Sequence, residues 1–165
     1  MATTDTSSSA LVRSLIDAMN DHDTTAMRSG WTADTVERFP ETTCRGADEL
    51  AAYFQALFDS FPDVRMTIVG MAEEGESVFM RWHLTGTHTG GTFQGIAPTG
   101  KHVELDGADH FTVRDGKIVE NFVVYDQMQF GRALGLLPPD GSGPDKALKA
   151  AFNAATAVRK RIAQR

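Results

Sequence analysis

Five ionisable residues, His83, Asp106, Asp109, His110 and Asp126, recur along segments otherwise rich in Val, Phe and Leu. A carboxylate held among apolar side chains loses hydration. That raises its pKa and suits it to take up a proton. An imidazole titrates near neutrality and can donate or relay the same proton. Burying either group unpaired is costly, so such a set is chemically meaningful if it faces a pocket. The chemistry within its reach is general acid–base catalysis.

Strand parity narrows the set, because alternate residues of a strand face opposite sides. Phe79, Arg81, His83 and Thr85 share one face, opposite Met80, Trp82, Leu84 and Gly86. Asp106, Ala108 and His110 share another, opposite Leu105, Asp109 and Phe111. Phe122, Val124 and Asp126 oppose Asn121, Val123 and Tyr125. Parity does not say which face is inward, and a bulge would exchange the two.

These groups need a framework, and the region Val78 to Asp126 supplies most of it. It reads as three long antiparallel strands, joined by a Gly/Thr/Pro-rich loop (89–100) and by an Asp115-Gly116 hairpin turn. Such a sheet needs a covering layer, and helical patterns lie upstream. Leu11, Val12, Leu15, Ile16 and Met19 mark one helical face after a cap among Ser7, Ser8 and Ser9. A second helix, with Asp23 as its N-cap, carries Ala26 and Met27 and extends towards Trp31. A short strand is predicted over Thr35–Phe39, stopped by Pro40, with a loop over residues 41–46. Asp48 then opens the clearest helix, in which Leu50, Tyr53, Phe54, Leu57, Phe58 and Phe61 follow helical spacing up to Pro62. A strand follows from Val64 to about Glu73. A last core helix follows Asp126 with Met128, Phe130, Leu134, Leu136 and Leu137, and closes at Pro138-Pro139. The organisation expected is one domain over residues 1–140, opening on a loose polar lead-in at residues 1–6. Residues 141–165 then form a linker and a C-terminal helical tail. That tail carries Lys146, Lys149, Arg159, Lys160, Arg161 and Arg165 against the single acid Asp145. It reads as a helix that is solvated, or that docks on the acidic body or a partner subunit.

Composition removes several classes of function. A net charge of −6 opposes binding to nucleic acid or an anionic membrane. The single cysteine, Cys44, excludes an internal disulfide and a Cys-based zinc site. Five scattered histidines without ligand spacing argue against a metal. Gly86, Gly90, Gly91, Gly95 and Gly100 precede no helix, so they form no phosphate loop. The N-terminus lacks the pattern of a secretion signal, and no apolar run reaches the ~20 residues of a membrane span. A cytoplasmic protein is the expectation.

Two stretches carry a resemblance. One is ValPheMetArgTrpHisLeuThrGlyThrHisThrGly (78–90) with PheGlnGlyIleAlaProThrGlyLysHisValGlu (93–104). The other is PheThrValArgAspGlyLysIleValGlu (111–120) with AspGlnMetGlnPheGlyArgAlaLeuGlyLeuLeuPro (126–138). Together with AsnAspHisAsp at 20–23 and PheProAsp at 61–63, they resemble the SnoaL-like polyketide cyclases of the nuclear transport factor 2-like fold. The resemblance implies a cone-shaped α+β barrel: N-terminal helices packed on a strongly curved, mostly antiparallel sheet around an apolar cavity. It implies chemistry without a metal or organic cofactor, with an aspartate and a nearby histidine closing a ring by an intramolecular aldol reaction. It also implies an apolar small-molecule substrate and a homodimer or higher oligomer formed through the outer sheet face. One departure stands out: the family's acid/base aspartate sits on the last strand, which here reads AsnPheValValTyr (121–125) without an acid.

The candidate catalytic residues are therefore Asp126, His110 and Asp109. Asp126 is either the base or the N-cap of the helix that opens at Gln127. His110 is either a pocket group or a residue of the outer face. His83 is a further pocket donor, or else an exposed sheet residue. Trp31, Phe54, Phe58, Trp82, Phe122, Tyr125 and Met128 are candidates for the ligand wall, or simply core. His22, His88 and His102 fall near turns and are expected to be solvated. Three functions fit: an acid–base cyclase, isomerase or lyase; a hydration enzyme in which Arg81 or Arg38 joins an aspartate; and a binding protein without chemistry.

Overall fold

The computed structural model describes residues 7–163. The polar lead-in at 1–6 and the basic Arg165 lie outside the described residues. Helix α1 (Ser8–Asn20) starts where the Ser7 side chain accepts from the Ala10 N–H, and it buries Val12, Leu15, Ile16 and Met19. Helix α2 (Thr24–Arg28) is capped by Asp23 and ends before Trp31. Strand β1 (Val36–Arg38) pairs with β2 (Thr43–Arg45), so the segment read as a loop holds a short strand. Its Cys44 is buried opposite Glu37, and a three-residue strand leaves too few residues for a period to register. Helix α3 (Gly46–Ser60) opens two residues earlier than Asp48. There Glu49 Oε2 reaches back to the Arg45 N–H at 2.7 Å.

Four longer strands follow: β3 (Arg65–Glu74), β4 (Ser77–Thr87), β5 (His102–Arg114) and β6 (Lys117–Tyr125). Helix α4 (Gln127–Ala133) and the 21-residue α5 (Gly143–Ala163) complete the chain. The six strands form one sheet in the order β2-β1-β6-β5-β4-β3. All neighbours are antiparallel except β1 and β6, which run parallel with Glu37 opposite Asn121. The sheet is open, with β2 and β3 at its edges. This is the expected α+β architecture.

The register settles parity. β4 and β5 pair without a shift from Ser77↔Thr112 to Thr87↔His102. Met80, Trp82, Leu105, Asp109, Phe111, Asn121 and Val123 are buried on the inner face. Helix α1 packs against β3 and β4, and α4 against β5. Burying rings such as those of Phe54 and Phe58 contributes roughly 1.5–3 kcal/mol each, and both are buried on α3. Helix α5 keeps Leu148, Phe152, Val158 and Ile162 exposed. Its first turn is anchored through buried Asp145, which accepts from Lys149 Nζ at 2.6 Å and lies 3.8 Å from the Arg132 guanidinium.

Candidate active site

Between the N-terminal helices and the inner sheet face lies a cavity. Its wall is apolar over most of its extent, with Leu15, Met19, Phe54, Leu105, Phe111 and Val123 among its residues. Glu37, Asp109 and Asn121 also line it, and they are 1%, 7% and 1% exposed. They come from β1, β5 and β6, and the parallel β1–β6 pairing sets Glu37 beside Asn121. Asn121 Nδ2 donates to Glu37 Oε2 at 3.1 Å and to Asp109 Oδ2 at 3.2 Å. Each acid has a second donor. Trp31 Nε1 donates to Glu37 Oε1 at 2.9 Å, and Trp82 Nε1 to Asp109 Oδ1 at 2.9 Å.

Electrostatics follow from this burial. Loss of hydration pushes the Glu37 carboxyl up to about 7. Its hydrogen bonds to Asn121 and Trp31 oppose the rise, and the negative charge of Asp109 adds to it. Burial likewise pushes Asp109 up to about 6, against the pull of the Trp82 and Asn121 N–H groups. The two acids therefore titrate near neutrality as a linked pair. One of them can take a proton while the other carries one.

A second polar group of the cavity involves Tyr53 and Tyr125. Their hydroxyls donate to Glu41, Tyr53 at 2.7 Å to Oε1 and Tyr125 at 2.5 Å to Oε2. Burial, reinforced by the Glu41 charge, holds both phenols well above their ordinary range, so they remain protonated donors. Gln94, from the loop between β4 and β5, reaches the Tyr125 hydroxyl at 3.5 Å.

The sequence-based candidates fall into two groups. Asp109, Trp82, Phe54 and Tyr125 face the cavity. Trp31 and Phe58 are buried outside the lining: Trp31 holds Glu37, and Phe58 stacks on His22 at 4.4 Å. The expectation that Asp126 and His110 meet in the pocket does not hold. Asp126 is exposed and caps α4, accepting from the Met128 and Gln129 N–H groups at 2.8 and 3.0 Å. It follows the last residue of β6, where the chain turns into the helix. His110 lies on the outer face, stacked on Phe79 at 4.2 Å, because it alternates with buried Asp109 and Phe111. His83 also points outward and meets Asp106 at 3.2 Å. Phe122 and Met128 are about half exposed and form no part of the wall.

Two of the histidines expected to be solvated are also placed differently. His88 is fully buried, stacked on Phe61 at 4.8 Å with Nε2 3.1 Å from the Gly91 carbonyl. His22 is half-buried, against the Val64 carbonyl at 3.1 Å. His102 is exposed, as expected. No histidine lines the cavity, so the partner of its aspartate is a glutamate. Neither Arg38, paired with Glu120, nor exposed Arg81 reaches the cavity to build an Asp-Arg-Asp water site.

Sequence reasoning missed Glu37, Asn121 and Glu41. Glu37 left a signal, since it alternates in phase with Phe39 in the predicted strand, and so did Asn121, which shares a face with Val123 and Tyr125. Among the described residues, no group of three or more His, Cys, Asp or Glu is disposed to hold a metal ion. No helix among them is long and apolar enough to cross a membrane.

Residues 9–134 match the SnoaL-like polyketide cyclase family. The chain belongs to that family. The SnoaL-like fold is shared with AclR, a putative hydroxylase from Streptomyces galilaeus. The two are 27% identical, and the likeness covers 93% of this chain and 94% of that one with a TM-score of 0.69. IdmH, a putative polyketide cyclase from Streptomyces antibioticus, is 28% identical over 77% of this chain and 97% of its own, with a TM-score of 0.66. A putative SnoaL-like polyketide cyclase from Jannaschia sp. CCS1 shares the fold at 24% identity and a TM-score of 0.70, over 78% of this chain and 91% of that one. No curated protein is a significant match.

Proposed function

We propose that this SnoaL-like protein is a cofactor-independent acid–base cyclase that closes a ring on an apolar, polyketide-like substrate by an intramolecular aldol reaction. One observation carries the reading: the Asp109 carboxylate lines an apolar cavity, fixed by Trp82 and Asn121, with its pKa pushed up to about 6. At neutral pH it is mostly ionised and poised to remove a proton alpha to a carbonyl. Glu37, about 7, keeps a proton close by across Asn121, which limits the charge that builds up in the cavity. The Tyr53 and Tyr125 hydroxyls stand where a histidine was expected; each gives its single proton to Glu41, and one of them turns from that carboxylate to donate to a developing enolate oxygen.

The test uses an aryl β-keto ester bearing a pendant aldehyde, with ring closure followed by chiral chromatography. The wild-type protein is expected to give one enantiomer above background, and Asp109→Asn to fall by roughly 100-fold or more. Racemic product at the background rate with the wild-type protein overturns the reading.

The likeness to AclR along nearly the whole chain favours a second reading, hydroxylation of the same class of substrate, in which dioxygen gives one oxygen atom to the product and the other leaves as water on two electrons from an added reductant. Oxygen uptake, with an added oxygen atom in the product, would distinguish it. We infer also that copies associate through the outer sheet face, where Phe79, Phe122 and Val124 are exposed. Sedimentation of the wild-type protein against Phe122→Glu tests this, and a monomer in both refutes it.

A further inference from the structure

One atom of the cavity-lining Asn121 has no part in the acid pair. Asn121 Oδ1 is buried and has no hydrogen-bond partner among the described residues, although Nδ2 of the same amide serves two acceptors. The amide cannot be turned around without loss. Rotation would set Oδ1 against the ionised Asp109 Oδ2, acceptor against acceptor, and would take from Asp109 one of its two N–H donors. The acids therefore fix the nitrogen towards themselves, and they leave an acceptor, not a donor, for a ligand.

The surroundings limit what can supply the donor. Leu105, Phe111 and Val123 line the same cavity and offer no hydrogen bond. All four carboxylate oxygens of the pair already accept an N–H. An ammonium group would bring three donors to a single open acceptor. A neutral hydroxyl on an apolar frame brings one. A ligand without it leaves the buried oxygen unpaired, and such mismatches discriminate strongly.

We propose that Asn121 Oδ1 accepts the O–H of an enol or phenol of the substrate, and so seats that hydroxyl beside Asp109. This rests on the reading of the cavity as a substrate pocket and deepens it. The substrate class is an apolar carbon skeleton that carries a neutral hydroxyl at the end lying against β5 and β6. Asn121 is then a specificity-determining residue, and Glu37 is a positioning residue that acts through it.

The experiment compares 2-naphthol with 2-methoxynaphthalene by quenching of tryptophan fluorescence, since Trp82 lines the cavity. The wild-type protein should bind 2-naphthol roughly tenfold more tightly. That preference should fall to near unity in Asn121→Leu and persist in His110→Ala, whose ring lies on the outer face. Equal binding of the two probes by the wild-type protein overturns the proposal. So does a preference that survives Asn121→Leu but disappears in Tyr125→Phe. If Asn121→Leu no longer folds, NMR of the wild-type complex decides. A bound hydroxyl proton with contacts to the Asn121 side-chain amide supports the proposal, and contacts to the Tyr125 ring instead refute it. A hydroxyl preference accompanied by racemic ring closure would remove the cyclase reading and leave this one standing.

Discussion

Gly107 and Trp82 face each other across the β4–β5 ladder, and the indole fills the space that a side chain at 107 would need. A Cβ there would lie 2.1 Å from Trp82 Cζ2. The same indole donates to Asp109 at 2.9 Å. The missing side chain on one strand therefore helps to aim a carboxylate two residues further along it.

Gly107→Ala is expected to displace the indole. Overpacking of this kind costs about 1–3 kcal/mol, and ring closure should fall as well because Asp109 loses one of its two donors. Trp82→Phe in the Gly107→Ala background should recover part of the stability and none of the activity. Urea denaturation together with the cyclisation assay separates the two effects. Recovery of both would show that the indole only fills space.

The acid pair predicts an unusual dependence of stability on pH. Burial raises Glu37 to about 7 and Asp109 to about 6, whereas in the unfolded chain both titrate near ~4. Between these values the folded protein holds protons that the unfolded chain has released. The stability this contributes is fully present below pH ~4 and is lost as pH rises through about 6 and 7. The urea midpoint of the wild-type protein should decline more steeply than that of Asp109→Asn between about pH 4 and about pH 6. Parallel curves would show that Asp109 is hydrated.

Asp126 should matter to the helix and not to the reaction. Asp126→Ala removes the acceptor of two N–H groups at the start of α4 and should cost about 0.5–2 kcal/mol. Asp126→Asn keeps the cap and should retain both stability and turnover. Thermal unfolding and the cyclisation assay read the two, and abolished turnover in Asp126→Asn would restore it as a base.

His110→Ala removes the stack on Phe79 and the contact with Ser77 on the outer face. Its effect on kcat should be less than about twofold, with a stability change within roughly 1 kcal/mol. A pH–rate profile that loses one limb in this variant would contradict the placement.

Much of the scaffold could be read from periodicity. The apolar spacing of α1 and α3, the Asp115-Gly116 turn and the three long strands each leave a local trace of period 3.6 or 2. The inward aspartate was half legible: parity grouped Asp109 with Leu105 and Phe111, but it could not say which group was inside. His110 looked equally apt, because a strand alternates whichever way it faces. Glu37 and Asn121 escaped for a different reason. Their partnership depends on a parallel pairing between segments separated by 84 residues, and no window along the chain spans it. For His88, proximity to a turn implies exposure, whereas its ring is held against Phe61.

That pairing of β1 with β6 has a consequence for synthesis. During translation Glu37 emerges long before Asn121, and its strand has no place in the sheet until the last one arrives. The β3–β4 and β4–β5 hairpins can form earlier from near neighbours, but the Glu37–Asn121–Asp109 cluster is assembled only at the end. A chain that ends at residue 116 and is clear of the ribosome would hold β3, β4 and β5, and an acid without its amide partner.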